Sequence, residues 1–159
     1  MKKFILLLMM VFCSASFANP ALDSINLILK KKSQSNTYSA EIKDLQKHYQ
    51  FIFIHRADCP HCHKFAPILD DFANHYKIPV QAYSVDGGNL APFKSEPLTP
   101  ELFRTFFLSS GFKPIVPALF LLNNDTFEAY PVLFGEAQAY QLSERMYELL
   151  EHIKEQFHG

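Results

Sequence analysis

An apolar run meets a pair of cysteines in the segment Phe51-Ile52-Phe53-Ile54-His55-Arg56-Ala57-Asp58-Cys59-Pro60-His61-Cys62. The β-branched and aromatic residues of its first part predict a buried strand over 50–56. Pro60 is well tolerated in the first turn of a helix, so a helix is predicted to begin there. At the amino end of such a helix, unpaired N–H groups and the helix dipole favour a thiolate on Cys59. The segment therefore predicts a thiol pair that cycles between dithiol and disulfide.

The size and charge of the chain limit what this pair belongs to. With 159 residues, 48% of them apolar, the chain suffices for one compact domain and is too short for two ordinary ones. Its formal net charge of −1 gives no electrostatic reason to expect a nucleic-acid partner. We therefore expect a globular domain whose function lies in a local site.

The first 18 residues have the pattern of a signal peptide. Met1-Lys2-Lys3 is basic, Phe4 to Phe12 is apolar, and Ser16-Phe17-Ala18 places small residues where a signal peptidase reads them. Cleavage is expected after Ala18, with export of the mature chain. The apolar run is short for a membrane span, and no other segment approaches the necessary length.

Signal removal takes Cys13 away and leaves Cys59 and Cys62 as the cysteines of the mature chain. A disulfide that closes so small a loop removes little chain entropy, so it stabilises a fold only weakly. An incidental local disulfide is the structural alternative. The spacing and the exported setting favour a redox role instead.

Apolar periodicity and turn residues predict the other elements. Helical spacing is found over 20–32, and 19–48 is predicted as a helical extension before a domain at 49–159. The domain is predicted to contain further strands over 78–85, 118–122 and 127–133, and helices over 60–76, from Thr99 to about 107, and over 136–157.

This order of elements resembles the thioredoxin fold over 50–157. Pro67 matches the proline within the active-site helix of that fold, and Val116-Pro117 resembles its cis-proline loop, which faces the cysteines. The resemblance implies an α/β domain with a central mixed β-sheet flanked by helices. It also implies that Val116 and Pro117 bind an extended substrate segment through the backbone of Val116. The alternatives are a trans proline at the start of an edge strand and a helix break at Pro67.

A narrower resemblance rests on 54–67, on Val85-Asp86-Gly87-Gly88 and on the signal peptide. These features are similar to the TrbB and TraF proteins of F-type conjugative transfer systems, and the retained cysteines and short length are more like TrbB. The resemblance implies a periplasmic disulfide isomerase of a Gram-negative bacterium that assists folding of conjugative pilus or type IV secretion components. It further implies extended or unfolded cysteine-containing substrates and a DsbD-like or DsbB-like membrane partner. Oligomeric state is left open.

The expected mechanism assigns Cys59 as the nucleophile and Cys62 as the resolving thiol, with the Cys59–Cys62 disulfide as the redox centre and no separate cofactor. Pro60 and His61 are expected to tune the thiolate. Because a protonated His61 stabilises the reduced form, a DsbA-like oxidase is the main alternative, and a structural secretion component is another. Many thioredoxins bury an acid where this chain has Phe53, so proton transfer to Cys62 is expected to differ.

A zinc site is the rival from another class, since zinc accepts both sulfur and imidazole nitrogen. The candidate ligands are Cys59, Cys62, His55, His61 and His63. Their spacing is unlike the two separated ligand pairs of a structural zinc module, so no metal is expected.

Overall fold

The computed structural model describes Leu29, Lys32, Tyr38, Ile42 and residues 45–158, with side chains described up to Glu155. The chain divides into two compact units, Met1–Ser35 and Asn36–Gly159. In the first unit Leu29 and Lys32 are described, and both are helical. The predicted signal peptide, its cleavage after Ala18 and most of the predicted extension over 19–48 lie outside the described residues, so they stay predictions.

A five-stranded mixed sheet forms the centre of the second unit. Its strands are β1 (Tyr49–His55), β2 (Val80–Ser84), β3 (Ser95–Pro97), β4 (Ala118–Asn123) and β5 (Ala129–Phe134). They lie in the order β3-β2-β1-β4-β5. The pairs β1–β2 and β2–β3 are parallel, whereas β1–β4 and β4–β5 are antiparallel. This order, with a helix crossing between β1 and β2, is the predicted thioredoxin-like α/β fold.

Three helical segments flank the sheet. They are α1 (Pro60–Tyr76), α2 (Pro100–Phe103), which continues as a π-helical segment over Arg104–Leu108, and α3 (Ala139–His158). Helix α1 supplies the crossover that a parallel β1–β2 pair requires. It ends where Lys77 adopts the left-handed conformation, with φ 57°. Thr99, where this helix was predicted to begin, caps it: Thr99 Oγ1 accepts a hydrogen bond from Leu102 N at 3.3 Å.

Strand β1 separates two apolar clusters, because successive side chains of a strand point to opposite faces. Phe51 and Phe53 lie in the cluster that contains Cys62 and the buried faces of α1 and α3. Ile52 and Ile54 lie in the other, formed with the π-helical segment and β4. Burial of a side chain such as Phe53 stabilises the fold by about 1.5–3 kcal/mol. The sheet is thus covered on both faces, and the end of β1 is packed from both sides.

Some of the described residues between Ser35 and β1 are part of the first of these clusters or pack against it. Ile42 and Leu45 are buried in it. Tyr38 packs against it, and its hydroxyl donates to the carbonyl of Ser143 in α3 at 2.7 Å. This part of the predicted helical extension therefore contributes to the core of the second unit.

The structure corrects several boundaries. Residues 95–97, for which no strand was predicted, pair with β2 as an edge strand, where a proline such as Pro97 is tolerated. Strand β5 begins at Ala129, because Phe127 is exposed in a turn with φ 59°. Helix α3 begins at Ala139, three residues later than expected. Pro67 lies inside an uninterrupted α1, so the helix-break alternative is wrong.

Candidate active site

The two cysteines occupy unequal positions at the start of α1. Cys59 is the residue before the helix, with extended backbone (φ −87°, ψ 115°), and is partly exposed. Cys62 lies one turn further along and is fully buried at 0% exposure. Both are free thiols. A substrate disulfide therefore has access to Cys59, whereas Cys62 meets a sulfur that is already attached to Cys59.

The surroundings of Cys62 favour its protonated thiol over the thiolate. Burial raises the pKa of the Cys62 thiol to about 12, and the neighbouring Cys59 and Asp86 act in the same direction. The main chain of Arg56 offsets part of this effect. Because the thiolate is the nucleophile, Cys62 must lose its proton before it attacks. Resolution of a mixed disulfide thus depends on a proton acceptor.

Asp86 fixes the turn that leads to Cys59. Its two carboxylate oxygens each accept from the Ala57 main-chain N–H at 3.0 Å, and Oδ2 also accepts from Asp58 N at 3.4 Å. Oδ1 accepts from Ser84 Oγ at 2.7 Å and from Gly88 N at 3.4 Å. The hydrogen bond from Ala57, followed by that from Ser84, holds the pKa of Asp86 well below its ordinary range.

Gly88 allows this turn to approach closely. A Cβ at position 88 would lie 2.5 Å from the Cβ of Ala57, a separation that side chains do not tolerate. We name Ala57, Asp58, Ser84, Asp86 and Gly88 together the Asp86 clamp. In the sequence, Val85-Asp86-Gly87-Gly88 is notable only for its family resemblance, so sequence reasoning missed the function of this acid.

His61 is held by an acid from the other end of the domain. Its Nδ1 lies 2.6 Å from Glu136 Oε2, and Lys64 Nζ donates to the same oxygen at 3.4 Å. These bonds, that of His61 first, lower the pKa of Glu136. Glu136 follows β5 and is 75 positions from His61. No local sequence signal joins them, so sequence reasoning missed the pair.

The other two histidines considered as zinc ligands, His55 and His63, have separate partners. Nε2 of His63 donates to the Ala57 carbonyl at 2.7 Å, and Nε2 of His55 lies 2.6 Å from Ser95 Oγ. Within the described part of the chain, no group of three or more His, Cys, Asp or Glu side chains is arranged to hold a metal ion. The zinc interpretation therefore lacks a ligand set in this region.

Val116 and Pro117 lie beside the cysteine turn. Their peptide bond is cis, as the resemblance implies. Ile54 of β1 pairs with Ala118 of β4, so Pro117 lies next to the end of β1. Pro117 is buried, and half-buried Val116 packs against the same apolar cluster as Cys59. The fold thus brings the predicted substrate-binding residues to the same end of the sheet as Cys59. Their role in substrate binding stays a prediction.

Position 53, where many thioredoxins bury an acid, lies in apolar surroundings in the structure. Phe53 is fully buried and contacts the rings of Phe65 and Phe93, at centroid distances of 6.1 and 5.4 Å. On its third side it stacks on His55 at 5.1 Å. Phe53 therefore offers no proton acceptor to Cys62.

Along the described residues, no helix has both the length and the apolar character needed to cross a bilayer.

The chain is similar to known proteins in sequence and in fold. A family model described as TraF, F plasmid transfer operon protein, matches residues 12–147. Protein TrbB of Escherichia coli (strain K12) is 34% identical over 92 residues, which are 57% of this chain and 50% of TrbB. The matched region thus spans half the length of that relative.

Two solved structures are similar at low identity. A thiol:disulfide interchange protein of the thioredoxin family from Chlorobium tepidum TLS has a TM-score of 0.49 at 14% identity, over 67% of this chain and 83% of its own. MTB DsbF, in mixed oxidised and reduced forms, has a TM-score of 0.46 at 16% identity, over 67% and 84%. The strand order and register of the sheet themselves define the fold.

Proposed function

Since the chain belongs to the TraF family of F plasmid transfer operon proteins, we propose that it is a thiol-disulfide oxidoreductase that acts on proteins of a conjugative transfer apparatus. The observation that carries this proposal is the unequal pair: Cys59 partly exposed at the start of α1 and Cys62 buried one turn behind it. One thiol is placed to receive a substrate and the other to release it. The predicted signal peptide makes the periplasm of a Gram-negative bacterium the expected location.

The chemistry begins at Cys59. Its thiolate attacks a substrate disulfide, a Cys59–substrate disulfide forms, and the displaced substrate sulfur leaves as a thiolate that takes a proton from water. In isomerisation, a second substrate thiolate attacks this mixed disulfide, forms a new substrate disulfide and returns Cys59 unchanged. If none attacks, Cys62 loses its proton, bonds to Cys59 and releases a reduced substrate thiol. Pro60 and His61 tune the first step, and Val116 and Pro117 align the substrate backbone.

Isomerase action is the direction we favour, because of Glu136. A protonated His61 near the thiols stabilises the thiolate and makes the pair more oxidising. Glu136, 2.6 Å from His61, opposes that charge with one of its own. The reduction potentials typical of a DsbA-type oxidase and of a disulfide isomerase differ by about 60 mV, or roughly 3 kcal/mol for two electrons. A His61 charge that is offset by the carboxylate makes the pair less oxidising than an unopposed charge does, which favours the isomerase side. An isomerase requires a DsbD-like partner that keeps it reduced.

A DsbA-like oxidase is the second candidate, supported by the location of His61 between the thiols. An oxidase starts from the Cys59–Cys62 disulfide, transfers it to reduced substrates and needs a DsbB-like partner to restore it. The two candidates differ in measurable potential. Equilibration of the purified mature protein with glutathione separates them, since a potential of about −180 mV is expected for an isomerase and of about −120 mV for an oxidase.

Activity is tested with scrambled ribonuclease and three variants. Cys59→Ser is expected to abolish reactivation, because no mixed disulfide can form, while Cys62→Ser is expected to accumulate mixed disulfides with substrate. The double variant is the control for a structural role. If it restores conjugative transfer to a deletion strain as well as the unaltered protein does, redox activity is incidental. Undiminished reactivation by Cys59→Ser would contradict the assigned nucleophile.

A further inference from the structure

His63 contacts the turn before α1 twice, and the exchange steps above use neither contact. Its main-chain N–H donates to the Cys59 carbonyl at 3.1 Å, and its ring Nε2 lies 2.7 Å from the Ala57 carbonyl oxygen. A carbonyl accepts hydrogen bonds and cannot donate them, so Nε2 carries a hydrogen. The imidazolium also carries a hydrogen on Nε2, so the bond is available in both charge states of the ring. His63 therefore presents a constant donor to the turn.

The turn over residues 56–59 is a type I β-turn. Cys59 N donates to the Arg56 carbonyl at 3.3 Å, which closes the turn. Asp58, its third residue, is not among the described non-glycine residues with positive φ. A closed turn with negative φ at the third residue is of type I, whereas type II requires positive φ there. The two types differ by a rotation of about 180° of the central peptide, which here joins Ala57 to Asp58.

Both ends of this central peptide are held. Its carbonyl, which belongs to Ala57, accepts from His63 Nε2 at 2.7 Å, and its N–H, which belongs to Asp58, donates to Asp86 Oδ2 at 3.4 Å. The N–H and C=O of a trans peptide point in opposite directions, so the imidazole and the carboxylate hold the peptide from opposite sides. Rotation of the peptide would break the bond to His63 and turn the carbonyl oxygen toward the Asp86 carboxylate. The two side chains thus favour the same orientation of the same peptide.

The orientation of this peptide affects how Cys59 faces Cys62. Cys59 is the residue before α1, so the turn holds its backbone on one side and the helix holds it on the other. Cys62 is buried one helical turn further along. Bond formation between the two sulfurs requires them to be close and aligned. A central peptide that rotates freely keeps the Cys59 sulfur in that geometry for a smaller fraction of the time.

We propose that His63 is a positioning residue for the resolving step, because it holds the central peptide in the orientation that keeps the Cys59 sulfur within reach of Cys62. This inference rests on the proposed exchange function. In the resolving step the Cys62 thiol loses its proton to solvent and the thiolate attacks the Cys59 sulfur. The Cys59–Cys62 bond forms, the Cys59–substrate bond breaks, and the substrate sulfur leaves as a thiolate. Two electrons pass from the enzyme dithiol to the substrate disulfide, and His63 exchanges neither a proton nor an electron.

The resolving step can be measured by stopped flow. Reduced protein is mixed with 5,5′-dithiobis(2-nitrobenzoate), so attack by Cys59 releases a first thionitrobenzoate and attack by Cys62 on the resulting adduct releases a second. The second reaction is intramolecular, so its rate does not depend on the reagent concentration and reports on the alignment of the two sulfurs.

His63→Gln and His63→Asn form a matched pair of variants. Both remove the imidazole and its charge and supply an amide N–H, but the Gln nitrogen reaches the position of Nε2 and the shorter Asn does not. The second rate is expected to fall at least about fivefold in His63→Asn and to stay within about twofold of the unaltered protein in His63→Gln. The same two substitutions at His75, an exposed histidine near the end of α1, are the control and are expected to leave the rate unchanged. Urea unfolding checks that each variant is folded under the assay conditions.

Asp86→Asn tests whether His63 acts through the central peptide. In that background the N–H end of the peptide is already less constrained, so His63→Asn is expected to lower the second rate by a smaller factor than it does in the unaltered protein. An equal factor in both backgrounds would show that His63 acts independently of this peptide and would overturn the proposal.

The outcomes separate this inference from the proposed function. Equal second rates in His63→Asn and the unaltered protein would overturn the role of His63 and leave the exchange function standing. Equal losses in His63→Asn and His63→Gln would assign the effect to the imidazole charge and would also overturn the positioning role. A single released thionitrobenzoate from the unaltered protein would contradict the exchange function and the role of His63 together.

Discussion

The turn that carries Cys59 is held from two sides by acids of different kinds. On one side Asp86, within the Asp86 clamp, accepts hydrogen bonds from the main-chain N–H groups of Ala57 and Asp58 and therefore fixes the backbone. On the other side Glu136 bonds to the side chains of His61 and Lys64 and leaves the backbone unconstrained. The difference separates two tasks: Asp86 sets the position of the nucleophile, and Glu136 sets the charge around it.

This separation predicts different consequences for loss of each acid. Loss of a backbone constraint displaces Cys59 and slows every reaction that it makes. Loss of a side-chain charge leaves the geometry intact and changes the equilibrium between dithiol and disulfide. The reaction rates of Cys59 therefore test the role of Asp86, and the reduction potential of the cysteine pair tests the role of Glu136.

The largest expected effect is that of Asp86→Asn. An amide NH₂ in place of one carboxylate oxygen opposes the N–H of Ala57, so the turn before Cys59 loosens. Misplacement of a reacting group by about 1 Å costs up to about a hundredfold in rate, and we expect at least about a tenfold loss in the first reaction of Cys59 with 5,5′-dithiobis(2-nitrobenzoate). Asp71→Asn, at an exposed aspartate of α1, is the matched control. An unchanged first rate would show that the clamp does not position the nucleophile.

Gly88→Ala tests the same side through packing. The added Cβ meets the Cβ of Ala57 at 2.5 Å, so the turn must move, at an expected cost of about 1–3 kcal/mol in the free energy of unfolding. Urea unfolding measures this cost. Ala57→Gly removes the opposing Cβ, and the double variant is expected to recover part of the loss. If Gly88→Ala is as destabilising in the Ala57→Gly background as in the unaltered protein, the close approach is not its cause.

Acid sensitivity gives a third test of the clamp. The pKa of Asp86 is lower in the folded protein than in the unfolded chain, where it is about 3.9. As pH falls below that value, the unfolded chain binds the proton first, so the contribution of Asp86 to stability is present above about pH 4 and declines below it. Urea unfolding between about pH 5 and 2.5 is expected to show a steeper loss for the unaltered protein than for Asp86→Asn. Parallel pH curves would contradict this assignment.

The sequence predicts those parts of the site that are formed by residues close together in the chain. The strand before the cysteines and the helix over Pro60–Tyr76 follow from residues adjacent in the chain, and the structure has both. Edge strand β3 was missed because three residues paired on one side have no alternation to detect. The Asp86 and Glu136 contacts join positions 29 and 75 residues apart, and only the register of the sheet brings them together.

His55 illustrates the same limit inside the core. Its position in an apolar strand is evident in the sequence, and the absence of an acid at Phe53 is evident too. The environment of its ring is not evident: Nε2 lies near Ser95 of the missed strand, and Nδ1 is buried with no hydrogen-bond partner among the described residues. Polar satisfaction is a tertiary property, so the sequence alone identifies the residue types of the site and not their partners.

Glu136→Gln is expected to have the smallest effect of these substitutions and to change the reduction potential rather than the position of Cys59. Removal of the carboxylate leaves the positive charges of Lys64 and protonated His61 unopposed, which favours the Cys59 thiolate and hence the dithiol. We expect the reduction potential to rise by about 10–30 mV, equivalent to about 0.5–1.4 kcal/mol, with the unfolding free energy nearly unchanged. Glutathione equilibration measures the potential, and His61→Gln combined with Glu136→Gln tests whether the two changes are coupled. A lower potential in Glu136→Gln would show instead that the carboxylate acts by keeping His61 protonated, and the isomerase assignment would then lose its support from this pair.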